Sequence, residues 1–252
     1  LGDDLETIAM DCNGTLEGGL GNDSLIGCPG DDVIFGGDDL ETIAMDGNKT
    51  VTGTFAQQPG TQNVTFAAVG DYGNNSTNEA NVAALIKTLN PSLIVTTGDN
   101  NYNGATEWDN VVGRHFGQYV HYPVGSSSIY APGPATNAFF PSYGNHDADL
   151  GFTSISDYIE LPGNGRYYTF VAGPVQFFAI DSDPREPDGY LSTSVQGQWL
   201  QTQLNASTAP WKVVYMHRPP YSSGTTYGRI PDMQWPYEAW GADAVFSGHE
   251  HV

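Results

Sequence analysis

The sequence predicts an α/β (α+β) fold with mixed sheets, preceded by a small β-rich repeat segment. From residue 63 onward, short runs rich in β-branched and aromatic residues alternate with amphipathic segments of helical period, an order typical of α/β domains. The first 55 residues are instead rich in glycine and aspartate and contain an internal repeat. We therefore predict a repeat segment at 1–55, a linker at 56–62 and a larger domain at 63–252.

The charge of the chain excludes some classes of partner. The 252 residues include 29 acidic and 8 basic side chains, which give a formal net charge of −21. Nucleic-acid binding needs clustered Lys and Arg, and here they are scattered, so we expect no nucleic-acid-binding surface. No apolar run predicts a membrane span, and no signal peptide is recognisable. The acidity would repel phosphate esters unless a metal centre reverses the local field.

The repeat segment contains an identical ten-residue stretch, GDDLETIAMD, at Gly2–Asp11 and Gly37–Asp46. Between the copies, GGLGNDSLI and GCPGDDVIF follow the nonapeptide pattern G-G-x-G-x-D-x-U-x, the second with Cys28 at one glycine position. This pattern resembles the calcium-binding β-roll repeats of secreted bacterial RTX proteins, which implies that Asp23 and Asp32 supply oxygen ligands for Ca²⁺. The alternative is a Gly/Asp-rich turn region that binds no ion, because two repeats are few for a stable roll.

The remainder of the repeat segment carries weaker signals. The turn sequence DGN lies between apolar and β-branched residues, which predicts a hairpin over Thr42–Phe55. The stretch AQQPGTQ that follows has the composition of a linker. The spacing of the two cysteines, Cys12 and Cys28, leaves open whether they form a disulfide.

The larger domain alternates strands and helices along the chain. The runs NVTFAAVG and SLIVTTG predict strands, and STNEANVAALIKTLN between them predicts a helix with Ser76 or Thr77 as its N-cap. The apolar residues on one face of this helix are Val82, Leu85, Ile86 and Leu89. Downstream, TEWDNVVGRHFGQYV and SVQGQWLQTQLNAS predict helices, RYYTFVAGPVQFFAI predicts two strands, and WKVVYMH and DAVFSG predict one strand each.

Five of the apolar runs end in polar residues of metal-ligand type, mostly directly after a glycine. The five polar segments are GDYG, GDNNY, GNHD, MHRPP and GHEH. Because chemistry in such sheets gathers at the loops after the strand carboxyl ends, we expect these segments to share one cleft. Four of the six histidines lie in them, whereas His115 and His121 are interpreted as ordinary helix or loop histidines.

Taken in order, the five segments resemble the calcineurin-like metallophosphoesterases and, within them, the purple acid phosphatases. The resemblance covers Val64 to Val252 and implies a four-layer α/β/β/α sandwich with two mixed sheets. Many metallophosphoesterases begin with Asp-x-His, whereas this chain has Asp71-Tyr72-Gly73, and Tyr102 follows Asp99 by three residues as in purple acid phosphatases. A phenolate is a hard donor that favours Fe³⁺. The alternative for Tyr102 is an aromatic side chain that only packs over the loop.

The resemblance implies a dinuclear centre of Fe³⁺ and a divalent ion such as Zn²⁺, Mn²⁺ or Fe²⁺. One metal would be held by Asp71, Tyr102 and His251. The other would be held by Asn145, His217 and His249. Asp99 would bridge the two metals through its two carboxylate oxygens. Such a pair clamps the attacking and leaving oxygens of an in-line displacement, with a metal-held hydroxide as nucleophile.

Three further residues have implied roles in catalysis. His146 would stabilise the transition state or protonate the leaving group, with Asp147 orienting it; the alternative is a structural histidine. Arg218 occupies a position where relatives often have a second histidine. It would contact the phosphate through its bidentate fork, or it would form a salt bridge at the rim.

We therefore expect a hydrolase of phosphoric esters, an acid phosphatase-like phosphomonoesterase acting on small molecules. The alternatives are a phosphodiesterase or nucleotidase of the same superfamily and a catalytically silent, calcium-dependent surface or adhesion protein. The resemblances imply a secreted bacterial protein, extracellular or periplasmic, of undetermined oligomeric state. Since the family continues past the last histidine, we expect a C-terminally incomplete domain with an exposed sheet edge and low stability.

Overall fold

The computed structural model describes residues 63–251 and five short strands of the repeat segment. The chain divides into two compact units, residues 1–65 with residue 252, and residues 66–251. Within the described residues, every helix is too short or too polar to cross a membrane.

The repeat segment forms two small parallel sheets. The strands are β1 (Thr7–Ala9), β2 (Thr15–Glu17), β3 (Ser24–Ile26), β4 (Val33–Phe35) and β5 (Thr42–Ala44). One sheet has the order β1-β3-β5 and the other pairs β2 with β4, so consecutive strands alternate between the sheets. The predicted hairpin turn, the linker, Asp23, Asp32 and the two cysteines lie outside the described residues.

The first sheet of the larger unit is parallel throughout. Its strands are β6 (Phe66–Val69), β7 (Leu93–Thr96) and β8 (Phe139–Pro141), in the order β6-β7-β8. Helix α1 (Thr77–Leu89) connects β6 to β7. The Ser76 hydroxyl accepts the Glu79 N–H at 3.2 Å, which confirms Ser76 as the N-cap. The helix ends at Asn90, whose backbone is left-handed with φ 48°.

The face of α1 that is buried in the structure differs from the apolar face that the sequence predicts to be buried. Val82, Leu85 and Leu89 are 40%, 50% and 41% exposed, so only Ile86 of that set is buried. The interior instead receives Ala83 and the carboxyl of Glu79. Glu79 turns inward because its Oε2 accepts the N–H of Asn75, which ties the start of the helix to the preceding loop. A local polar contact therefore decides the rotation of the helix.

A second helical segment covers the same side of the first sheet. It consists of a π-helical turn (Asp109–Gly113), the short helix α2 (Arg114–Phe116) and a 3-10 turn (Gly117–Tyr119). Its buried side chains join a core with α1 and the three strands; that core includes Ala67, Ala83, Ile86, Ile94, Val111, Val112, Phe116 and Phe139. The five-residue helix α3 (Asn145–Asp149) follows β8.

The second sheet is mixed and has its own helix layer. Its strands are β9 (Tyr168–Ala172), β10 (Val175–Ala179), β11 (Trp211–Tyr215) and β12 (Ala244–Phe246), in the order β12-β11-β10-β9. A turn at Gly173 joins the two predicted strands β9 and β10 antiparallel, and the other pairings are parallel. Helix α4 (Val195–Ala206), capped by Ser194, packs Leu200 and Leu204 against Phe178 and Val214.

The two sheets pack face to face, and aromatic side chains fill the space between them. The ring centroids of Phe66 on β6 and Phe177 on β10 lie 5.0 Å apart, and those of Phe140 on β8 and Phe170 on β9 lie 3.7 Å apart. Because strand side chains alternate, Phe177 faces the first sheet while its neighbour Phe178 faces α4. The layers run helix, sheet, sheet, helix, which confirms the predicted four-layer sandwich. Only the second sheet is mixed among the described strands, whereas the prediction had two mixed sheets.

Candidate metal centre

Each predicted polar segment begins where a strand ends. The strands β6, β7, β8, β11 and β12 lead in turn into Asp71, Asp99, Asn145, His217 and His249. Within each sheet these strands run parallel, so their carboxyl ends lie at the same edge. The topology thus collects ligand-type side chains from residues more than a hundred positions apart, as the sequence predicts.

The backbone at this edge is unusually constrained. Among the described residues, the non-glycine residues with positive φ include Asp71 (57°), Asp99 (51°), His249 (75°) and His251 (56°). A side chain in this left-handed region costs on the order of 1 kcal/mol and persists only when its surroundings hold it there.

Two glycines allow the segments to approach closely. A Cβ atom on Gly144 would lie 2.1 Å from Oδ1 of Asp99, and a Cβ atom on Gly248 would lie 2.5 Å from Oδ2 of Asp71. Any larger residue at either position would push a carboxylate out of the cluster. The glycines before Asn145 and His249 are therefore packing requirements of the site.

Asp99 is common to two groups of potential ligands. The donor atoms of Asp99, His217 and His249 lie within 4.8 Å of one another, and so do those of Asp71, Asp99 and His251. Nε2 of His217 is 3.4 Å from Oδ2 of Asp99, and Nε2 of His251 is 3.1 Å from Oδ1 of Asp71. Two clusters that share one carboxylate have the connectivity of a bridged pair of cation sites.

The other two predicted ligands join the same cluster. The Tyr102 hydroxyl donates to Oδ2 of Asp99 at 3.1 Å, and Oδ1 of Asn145 lies 3.1 Å from Nε2 of His217. The structure thus brings all seven predicted ligand residues together. His115 and His121 lie elsewhere: Nε2 of His115 contacts Asn75, and Nδ1 of His121 contacts the carbonyl of Pro134.

A backbone carbonyl fixes the orientation of His217. Nδ1 of this ring lies 2.8 Å from the carbonyl oxygen of Thr97, which can only accept, so Nδ1 carries the proton and donates. Nε2 then faces the cluster, 2.9 Å from Nδ1 of His249. A carbonyl on the far nitrogen is the usual support of a metal-binding histidine.

Burial and mutual charge set the protonation of the cluster. Burial lowers the pKa of His249 to about 4, with a contribution from the positive charge of His217, so His249 is unprotonated at neutral pH. Burial alone would also lower the pKa of His217, but its hydrogen bond and charge interaction with Asp99 raise it. Burial alone would raise the pKa of Asp99, but the same pairing with His217 lowers it, so Asp99 stays ionised.

His146 and Arg218 border the cluster without belonging to it. The His146 side chain is 46% exposed, its ring centroid is 4.4 Å from that of Tyr102, and its Nε2 is 4.0 Å from Oδ2 of Asp99. The backbone N–H of Arg218 donates to Oγ of Ser182 at 2.8 Å. Nε of Arg218 is buried and has no hydrogen-bond partner within the part of the chain that the structure describes. The exposed ring of His146 is thus accessible to a ligand beside the cluster.

Asp147 has different contacts from those predicted. Its buried carboxylate accepts the backbone N–H groups of Asn100, Asn101 and Gly144 at 2.9–3.1 Å, and Nδ2 of Asn100 at 2.8 Å. These bonds hold the loop that carries Asp99, whereas the prediction had Asp147 orienting His146. Burial raises the pKa of Asp147 to about 7, even though the N–H donors oppose the shift.

Sequence reasoning missed several residues that support the site. Asn100 links Asp147 to the carbonyl of Ser142, and Thr97 fixes the ring of His217. Glu250 lies between two predicted ligands and binds a loop that carries Tyr227. The position of Asn100 directly after Asp99 was a usable signal, whereas nothing in the local sequence marks Tyr227.

The family comparison agrees with this geometry. A family model described as calcineurin-like phosphoesterase matches residues 64–252. Purple acid phosphatase 22 of Arabidopsis thaliana is 27% identical over 214 residues, which are 79% of this chain and 46% of the relative. The purple acid phosphatase of Glycine max is 25% identical over 207 residues, which are 75% of this chain and 43% of the relative. The chain thus spans less than half the length of these curated relatives.

Two solved structures are also similar to the chain. GAP50, described as the anchor in the inner membrane complex of Plasmodium, has a TM-score of 0.49 at 19% identity and covers 73% of this chain and 65% of its own. The purple acid phosphatase PPD1 from yellow lupin (Lupinus luteus) seeds has a TM-score of 0.49 at 16% identity, with coverage of 75% and 40%. Because the family model covers well over half of the residues, the chain belongs to the calcineurin-like phosphoesterase family.

Proposed function

We propose that the chain is the catalytic part of a dinuclear-metal-dependent phosphoric ester hydrolase, an acid phosphatase-like phosphomonoesterase. The observation that carries the proposal is the position of Asp99 in two ligand groups at once, one with His217 and His249 and one with Asp71 and His251. A single metal would need only one such group. A shared carboxylate can bridge the two ions of a two-metal site through its two oxygens, which supports the proposal.

The donor set fits two different cations. Tyr102 and the carboxylate of Asp71 are hard oxygen donors, which supports Fe³⁺ on that side, whereas two imidazoles and the Asn145 amide support a divalent ion such as Zn²⁺, Mn²⁺ or Fe²⁺. Burial raises the pKa of the Tyr102 phenol, so only a strongly charged cation would hold it as phenolate. When bound, the two ions supply an activated water and neutralise the charge of the phosphate.

The side chains bordering the cluster would act on the substrate. Arg218 would bind the phosphate through the fork of its guanidinium group, which helps offset the repulsion expected from the net charge of −21. His146 is exposed and lies beside Asp99, so its Nε2 would donate a proton to the leaving oxygen. Asp147 would keep Asp99 in place through the bonds to Asn100 and Asn101.

The test measures metal content and turnover on the same purified sample. We expect about two metal ions per chain, hydrolysis of p-nitrophenyl phosphate, and a visible tyrosinate-to-iron absorption that disappears in Tyr102→Phe. Tyr130→Phe is the matched control, since Tyr130 is exposed and its hydroxyl bonds Asn110. A protein that binds no metal would refute the proposal. Turnover of bis(p-nitrophenyl) phosphate but not of the monoester would favour the phosphodiesterase alternative.

For the repeat segment we propose Ca²⁺ binding through Asp23 and Asp32 in a secreted, extracellular or periplasmic protein. The support is that β3 begins directly after Asp23 and β4 directly after Asp32, and that successive strands alternate between two parallel sheets. We expect a calorimetric Ca²⁺ titration of the full chain to show heat that Asp23→Asn with Asp32→Asn removes. A titration without heat for the unmodified chain would contradict this proposal.

A further inference from the structure

Glu250, between the two histidines of the last polar segment, points away from the metal cluster. Its side chain is buried, and its carboxylate accepts three consecutive backbone N–H groups, from Thr226 at 2.7 Å, Tyr227 at 2.8 Å and Gly228 at 2.6 Å. A carboxylate that accepts several backbone N–H groups forms strong, charge-assisted hydrogen bonds. Glu250 therefore fastens a distant loop to the segment that carries His249 and His251.

The loop is shaped to receive this carboxylate. A Cβ atom on Gly224 would lie 2.2 Å from both Cγ and Oε1 of Glu250, so only glycine allows the approach. Gly228 has φ 66°, a left-handed conformation that aims its N–H at Oε2 of Glu250. Two glycines thus adapt the loop to one acidic side chain.

The fastened loop holds Tyr227 beside the metal ligands. The Tyr227 ring stacks on the His249 ring, with centroids 4.2 Å apart and planes 27° apart, and lies 6.5 Å from the His251 ring. The residue is nevertheless 54% exposed. An aromatic residue that served only to fill the core would be buried, whereas Tyr227 covers a predicted ligand with one face and leaves the rest accessible at the cleft.

We propose that Glu250 acts as a positioning residue that holds Tyr227 as an aromatic platform for the leaving group of the substrate. The preferred substrates are then phosphate monoesters of aromatic alcohols. The proposal rests on the proposed phosphomonoesterase function, because it assumes that the phosphate lies against the Asp99 cluster. A stacked or edge-to-face ring pair strengthens binding by about 2- to 12-fold over simple burial, which sets the size of the expected discrimination.

The positioning role is tested by hydrogen exchange on the full chain without added metal, so it is independent of catalysis. In Glu250→Gln, the side-chain NH₂ faces N–H donors that have lost an acceptor. We expect amide exchange at 226–228 to accelerate at least about tenfold. Glu238→Gln, an exposed acid of the same unit, should leave these amides unchanged. Unchanged exchange in Glu250→Gln would overturn the positioning role.

The platform is tested by binding of unreactive analogues to the metal-loaded protein. Calorimetry would compare phenylphosphonate with methylphosphonate for the unmodified chain, Tyr227→Leu and Tyr227→Phe, with Tyr221→Leu as the control on the same loop. We expect Tyr227→Leu to weaken phenylphosphonate binding by about 3- to 10-fold and to leave methylphosphonate unaffected. Tyr227→Phe should retain the preference because it keeps the ring.

Different outcomes separate this proposal from the proposed function. Equal loss of both phosphonates in Tyr227→Leu, or no loss of either, would refute the platform even if the enzyme hydrolyses phosphomonoesters. Selective loss of phenylphosphonate in a protein that hydrolyses no ester would support the platform and refute the hydrolase.

Discussion

Glu79 is predicted to make the stability of the larger unit depend on pH. The carboxyl is 2% exposed, its Oε1 has no hydrogen-bond partner among the described residues, and its Oε2 accepts the N–H of Asn75. Burial raises the pKa of Glu79 from 4.5 to about 7. The folded protein therefore binds this proton more tightly than the unfolded chain does.

The sign and size of the effect follow from that difference. The stabilisation from the bound proton is fully present below pH 4.5 and is lost as the pH rises to about 7. A pKa raised from 4.5 to about 7 corresponds to at most about 3 kcal/mol of unfolding free energy. Glu79→Gln removes the ionisation but keeps the size of the side chain and an acceptor for Asn75. We expect the variant to become more stable than the unmodified chain as the pH rises from 4.5 to 8.

The assay is urea denaturation at several pH values, followed by tryptophan fluorescence. All five tryptophans lie in the larger unit, so the signal reports on that unit alone. Glu238→Gln is the control, because this acid is exposed and its replacement should not alter the pH profile.

One specific result would refute the reasoning. Nε2 of His115 lies 4.0 Å from Oε1 of Glu79. If a protonated His115 stabilised the carboxylate, Glu79 would ionise near its ordinary pKa. The profiles of the unmodified chain and Glu79→Gln would then stay parallel between pH 4.5 and 8, and the burial argument would be wrong.

Three further predictions concern the site and the core. Gly144→Ala should weaken metal binding at least about tenfold in equilibrium dialysis, because its Cβ would lie 2.1 Å from Oδ1 of Asp99; unchanged affinity would contradict this. Asp147→Ala should cost about 3 kcal/mol or more in urea denaturation at pH 6, since several buried N–H donors lose their acceptor. Phe177→Ala should cost about 3–5 kcal/mol as the sheet interface loses a fully buried ring, whereas Val171→Ala on the exposed face of β9 should change stability by less than about 0.5 kcal/mol.

The sequence was informative where a periodic or ordered pattern exists. The apolar runs correctly predicted β6, β7, β10, β11 and β12, because buried strands leave a continuous signal. The order of the polar segments correctly predicted which side chains meet, since parallel strands bring their carboxyl ends to one edge. Both inferences depend on chain topology rather than on the details of any contact.

Features that depend on individual polar contacts were not predictable. The rotation of α1 is set by the bond from Asn75 to Glu79, and an apolar pattern cannot register a buried acid. The orientation of the Asp147 side chain depends on hydrogen bonds from the backbone N–H groups of Asn100 and Asn101. These N–H groups come close to Asp147 only when the loop is folded. The contact of Glu250 with Tyr227 joins two loops without periodicity, so no sequence rule relates them.

The left-handed backbone at four of the predicted ligands has a consequence for engineering. Glycine adopts this conformation without the steric cost that Asp71, Asp99, His249 and His251 bear. Replacing any of them by glycine would relieve local strain and, under the proposed function, remove a metal ligand in the same step, so a gain in stability at this edge would come with a loss of metal binding. A search for heat-resistant variants that ignored metal content would then select against the proposed metal ligands, whereas a search that also selected for metal binding would find its gains in the helix layers.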